Sequence, residues 1–152
     1  MIKLCIFSTF LLFAWSSVVQ GFSTTARTAL VIDNTTGDVL LSKDIDRPIP
    51  PASMSKLMTL FMVFESLEEG KIKIDDTFRV SRKAWAKGGS KMFVREGASV
   101  TIENLIKGVI IQSGNDACIV LAEGIAGTEE NFAELMTIRA KEIGLTNSNF
   151  KN

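Results

Sequence analysis

Pro50-Pro51-Ala52-Ser53-Met54-Ser55-Lys56-Leu57-Met58-Thr59-Leu60-Phe61-Met62-Val63-Phe64 is the stretch whose reading decides the fold. Pro48, Pro50 and Pro51 stiffen the approach and keep a helix from starting early. The pattern predicts a helix from about Ser53 to Glu68, closed by Gly70. Apolar residues cover nearly its whole circumference, which predicts burial on all sides. Met54, Met58 and Met62 read as core filling rather than a ligand set. Ser53 and Lys56 are expected to enter that buried setting together, because positions i and i+3 share one helix face.

The chain contains no histidine. A hydroxyl needs a base to become a nucleophile. Without an imidazole, the Ser-His-Asp and Cys-His arrangements are excluded, and so is a His-ligated zinc hydrolase. A lysine one turn beyond a serine is one of the few remaining ways to run acyl transfer.

Working outward, the composition suits a single globular domain: 152 residues, 46% hydrophobic and 22% charged. Lysine plus arginine and aspartate plus glutamate both number 17, so the formal net charge is zero. A nucleic-acid partner calls for a basic patch, and none is expected. Residues 1–21 differ from the rest. Lys3 precedes an apolar run from Leu4 to Val19, and Val19-Gln20-Gly21 resembles a cleavage site. The run is shorter than the roughly 20 residues of a membrane span, so it reads as a secretory signal peptide and predicts export. Cys5 falls within that signal. Cys118 is then the only cysteine of the mature chain, which excludes a disulfide framework and reads as a packed core thiol.

Ala29-Leu30-Val31-Ile32 and Val39-Leu40-Leu41, joined across Asn34-Thr35-Thr36-Gly37-Asp38, predict a β-hairpin. One or two short strands are expected within 72–80, and Gly88-Gly89-Ser90 reads as a loop. Thr101 caps an expected helix from Ile102 to Gln112. Ser113-Gly114-Asn115 breaks it, a second helix follows from about Asp116 to Ala126, and Thr128 caps a third from Glu129 to Ile143.

S-x-x-K is a common string, and Ser148-Asn149-Phe150-Lys151 also fits it, but in a polar tail with no apolar helix behind it. The Ser53 match has the proline-bounded turn and the apolar helix. Ser113-Gly114-Asn115 is the only S-x-N, and taken alone it reads equally well as a helix–helix turn. The pair in this order is specific. Pro51-Ala52-Ser53-Met54-Ser55-Lys56-Leu57-Met58-Thr59, Gly88-Gly89-Ser90-Lys91-Met92-Phe93 and Gln112-Ser113-Gly114-Asn115-Asp116-Ala117 resemble the serine D-alanyl-D-alanine carboxypeptidases, the low-molecular-mass penicillin-binding proteins.

The resemblance implies an α+β fold of the β-lactamase/transpeptidase-like kind. Residues 22–152 would form the N-terminal portion of the catalytic domain, with the remaining sheet strands lying beyond this chain. It implies Ser53 as nucleophile, Lys56 as its base, Ser113 as a proton relay and Asn115 as a hydrogen-bonding partner of a substrate amide. No cofactor or metal is implied. The partners would be a peptidoglycan stem peptide ending in D-Ala-D-Ala and the β-lactams that mimic it. The location would be the periplasm or the outer face of the cytoplasmic membrane, with membrane association left to a segment beyond Asn152. A third motif, K-T-G, is absent, and Lys87-Gly88-Gly89 lacks its hydroxyl residue and lies between the first two motifs. The chain therefore reads as a fragment, expected to be inactive by itself. Two alternatives stand beside this reading. A class A β-lactamase shares S-x-x-K but normally has Ser-Asp-Asn in place of Ser113-Gly114-Asn115. A non-catalytic penicillin-binding homologue could keep the fold without the reaction.

Overall fold

The computed structural model describes residues 22–151. The expected signal peptide lies outside the described residues. The chain divides into two compact units between Ile49 and Pro50.

The first unit is the expected hairpin. Strands β1 (Ala29–Ile32) and β2 (Val39–Lys43) pair antiparallel, Ala29 opposite Lys43, with an irregularity between Val31 and Ile32. Asp33 forms the turn: its Oδ1 accepts from the amides of Thr35 at 2.7 Å and Thr36 at 3.0 Å. These two bonds, Thr36 foremost, favour the carboxylate and hold Asp33 below its ordinary pKa. Gly37, at φ +79°, takes the left-handed position that a side chain disfavours.

The second unit is mainly helical: α1 (Lys56–Glu68), α2 (Arg82–Ala86), α3 (Ile102–Gln112), α4 (Asn115–Ala126) and α5 (Glu129–Glu142). Strands β3 (Thr77–Arg79) and β4 (Ser99–Thr101) pair antiparallel beside them. The helix starts follow their caps. The hydroxyls of Ser81, Thr101 and Thr128 accept from the amides of Ala84, Asn104 and Asn131 at the heads of α2, α3 and α5. Val63, Ile102, Leu105, Val109, Val120 and Leu121 form the larger part of the core, where α1, α3 and α4 meet. Met58, Phe132, Met136 and Ala140 form a second cluster between α1 and α5. Arg139 of α5 holds Glu65 of α1 at 2.6 Å and lies over the Phe61 ring, 5.7 Å from its centroid.

Two expectations change. The segment Ala52–Ser55 is a 3-10 turn, and the α-helix proper begins at Lys56. That helix is not buried on all sides: Leu57 is 65% exposed, and Met54 and Phe64 are exposed as well. Among the described residues α1 packs against α3, α4 and α5, and the stripe through Leu57 and Phe64 faces away from them. An apolar surface all round says that a helix can be covered, and neighbours decide which side is. The strand expected within 72–80 is Thr77–Arg79, paired with β4; β4 itself and the five-residue α2 were not anticipated.

Candidate active site

Ser53 lies in the 3-10 turn and Lys56 opens α1, so the tetrad straddles a change of helix type. Ala52, just before the serine, is held at φ +49°, a left-handed setting that costs an alanine on the order of 1 kcal/mol. The Ser55 hydroxyl donates to the Ala52 carbonyl at 2.9 Å and closes this turn. As a first-turn amide, the Ser53 N–H has no acceptor within its own helix.

α3 ends in a second left-handed residue. Ser113 has φ +52° and ψ +40°, and the Gly114 amide reaches back to the Gly108 carbonyl at 3.0 Å. This turn presents both oxygens of Ser113 to one amine. Lys56 Nζ donates to the Ser113 carbonyl at 2.7 Å and to Ser113 Oγ at 2.9 Å. The same Nζ lies 3.3 Å from Ser53 Oγ. An ammonium has three donors for these three acceptors. A neutral amine bonded twice to Ser113 would turn its lone pair to the Ser53 hydroxyl.

Asn115 begins α4. Its amide donates to the Ser90 carbonyl and its Nδ2 to the Gly88 carbonyl, each at 2.8 Å. A cavity of about 250 Å³ opens among Ser53, Lys56, Thr59, Lys87, Asn115, Cys118 and Glu129. The structure thus brings Ser53, Lys56, Ser113 and Asn115 together, although Ser113 meets the others through Lys56 rather than through the cavity wall.

The expectation of a dry pocket around the nucleophile is not met. Ser53 is exposed and Lys56 half-buried, because the exposed 3-10 turn, not a buried helix, carries the serine. Cys118 packs against the core and also borders the cavity. Burial pushes its thiol up to about 11, with Lys56 pulling the other way, so a thiolate is disfavoured at neutral pH.

Three lining groups escaped the sequence reading. Glu129, nearly buried at the head of α5, pairs with Lys83 at 2.8 Å. Lys83 also bonds Glu130 at 2.6 Å, and the two carboxylates raise it above the ordinary lysine range. Thr59 is buried one turn past Lys56. Lys87, set aside as a poor third motif, borders the same cavity. Only the i+3 step from Lys56 to Thr59 was available as a signal; α2 and α5 bring in the others from remote sequence.

The family model for D-alanyl-D-alanine carboxypeptidase matches residues 16–152. The chain belongs to this family. It is 44% identical over 127 residues to the D-alanyl-D-alanine carboxypeptidase DacF of Bacillus subtilis, covering 84% of this chain and 33% of the relative. It is 43% identical over 145 residues to DacC of Escherichia coli, covering 91% and 36%. The chain therefore spans about a third of the length of these curated relatives. Among solved structures, the carboxypeptidase DacD of Francisella tularensis superposes with a TM-score of 0.83 at 39% identity, covering 87% of this chain and 32% of that one. Penicillin binding protein 5 of Haemophilus influenzae superposes with a TM-score of 0.81 at 37% identity, covering 87% and 39%. The α+β fold expected for the carboxypeptidase family is the fold found.

Proposed function

We propose that this chain forms the first part of the catalytic domain of a serine D-alanyl-D-alanine carboxypeptidase that also binds penicillin, with Ser53, Lys56, Ser113 and Asn115 as its site. One observation carries the reading: a single amine lies within 3.3 Å of one serine hydroxyl and 2.9 Å of another. Ser53 Oγ attacks the carbonyl between the last two D-alanines of a stem peptide, and its proton passes to Lys56 Nζ. The Ser53 N–H supports the developing oxyanion. Nζ returns the proton through Ser113 Oγ to the leaving amine as the C–N bond breaks. Asn115, anchored by Ser90 and Gly88, hydrogen-bonds a substrate amide. Water then opens the ester, freeing Ser53 and a peptide one residue shorter. Residues 1–21 serve as a signal peptide, and the enzyme works on the cell wall from the periplasm or the outer face of the cytoplasmic membrane.

A fluorescent penicillin tests this on the full-length gene product. A stable adduct on the Ser53 peptide, abolished in Ser53→Ala with no change in melting temperature, is the expected result. Rapid turnover of the adduct would indicate a β-lactamase, and no adduct at all a binding homologue. Either outcome removes the carboxypeptidase reading.

A further inference from the structure

Asp116 is a carboxylate only 1% exposed, with no ion-pair partner among the described residues. Its bonds run instead to backbone. Oδ1 accepts from the amides of Met92 at 3.0 Å and Ala117 at 2.9 Å, and Oδ2 from that of Val94 at 3.2 Å. Burying an ion this deeply is costly unless several donors compensate it.

Asp116 holds an unusual turn. Phe93, between the two loop amides, sits at φ +63° and is 80% exposed. A bulky residue in that region is strained, and nothing about its exposed side chain stabilises it. The two amides caught by one carboxylate account for the turn. Just upstream, the same segment carries the Gly88 and Ser90 carbonyls that receive Asn115. The fit there is close: a Cβ at Gly89 would stand 2.6 Å from Asn115 Nδ2.

We propose that Asp116 is a positioning residue of the site: it clamps Met92 and Val94, fixes the strained turn at Phe93, and so sets the wall from Gly88 to Ser90 against which Asn115 is held. The link to catalysis rests on the function proposed above. The clamp itself is independent of that function.

The test compares the full-length protein with Asp116→Asn and with the double variant Asp116→Asn/Phe93→Gly. An asparagine offers one acceptor and one donor where the carboxylate offers two acceptors, so a loop amide loses its partner. Hydrogen exchange at the Met92, Val94 and Asn115 amides should quicken by roughly ten- to a hundredfold in Asp116→Asn. Acylation by penicillin should slow by up to about 100-fold, the scale of a displacement near 1 Å. The loss should appear in the half-saturating concentration rather than the limiting rate, which a general loss of stability would not produce. Glycine adopts the left-handed turn without strain, so the double variant should regain about tenfold of the loss. Unchanged protection at Asn115, or no recovery on adding Phe93→Gly, overturns the proposal. If Asp116→Asn does not fold, the native protein decides: the Met92, Val94 and Asn115 amides must exchange with one common protection, and independent exchange at Asn115 overturns the proposal. If the unmodified protein takes no penicillin, the functional reading fails, and exchange at Asn115 alone then decides the clamp.

Discussion

Replacing Lys56 by arginine separates the charge of this residue from its capacity to carry a proton. The amine donates to the Ser113 carbonyl and hydroxyl at 2.7 and 2.9 Å and lies 3.3 Å from Ser53 Oγ. A guanidinium at this half-buried position can still donate to both Ser113 oxygens, so the change in folding stability should stay within about 1 kcal/mol. It cannot give up a proton in a protein and so cannot accept one from Ser53. General-base assistance contributes roughly 100- to 10,000-fold. At 1.36 kcal/mol per decade, its loss raises the acylation barrier by about 3–5 kcal/mol. The assay is time-resolved labelling of the full-length protein by fluorescent penicillin, alongside thermal melting. The expected result is a slowing of at least about 100-fold with the melting temperature nearly unchanged. Acylation by Lys56→Arg within about threefold of the native rate would refute the lysine-base reasoning, since that leaves nothing on the scale of base catalysis to explain.

Two further expectations concern the scaffold. Gly124 lies inside α4, where helix propensity alone credits alanine with about 1 kcal/mol; yet a Cβ there would stand 2.2–2.5 Å from three atoms of the Phe78 ring, so Gly124→Ala should destabilise by on the order of 1 kcal/mol net, and a raised denaturation midpoint would contradict the packing. The hydrogen bonds from Arg139, ahead of its charge, hold Glu65 below its ordinary pKa; a carboxylate depressed by folding contributes stability above its unfolded pKa and loses it as pH falls through the folded value, so unfolding free energies should show Glu65→Gln costing more at pH 7 than below pH 4.5, and equal costs at both would count against the pair.

The elements legible in the sequence were those whose signals are local. Thr101 and Thr128 announce α3 and α5 because a cap acts within one turn. The hairpin follows from two aliphatic runs joined across Asn34-Thr35-Thr36-Gly37-Asp38. Ser53, Lys56, Ser113 and Asn115 were singled out because two motifs share an order along the chain; the structure joins the first three through one amine and sets Asn115 on the same cavity. What the sequence hid depends on distant partners. α2 is too short to declare itself and is fixed by its Ser81 cap and its packing on α4. The strands β3 and β4 span three residues each and exist by pairing with one another. Exposure of Leu57 and Phe64 depends on which sides of α1 have neighbours, and periodicity carries no information on that point. The burial of Asp116 could not be inferred, because an aspartate beside Asn115 reads first as an ordinary acid in the first turn of a helix.

The centre is stitched from pieces far apart along the chain: Lys56 touches a partner 57 positions away, and the Asn115 side chain one 27 positions away. No local segment can therefore acquire chemical competence ahead of the rest, since each stitch requires closing a long loop whose entropy is recovered only when the helices dock. On the function proposed above, labelling of Ser53 by penicillin doubles as a gauge of complete folding, and the appearance of a covalent adduct during refolding should keep pace with the slowest docking event rather than with the growth of helicity.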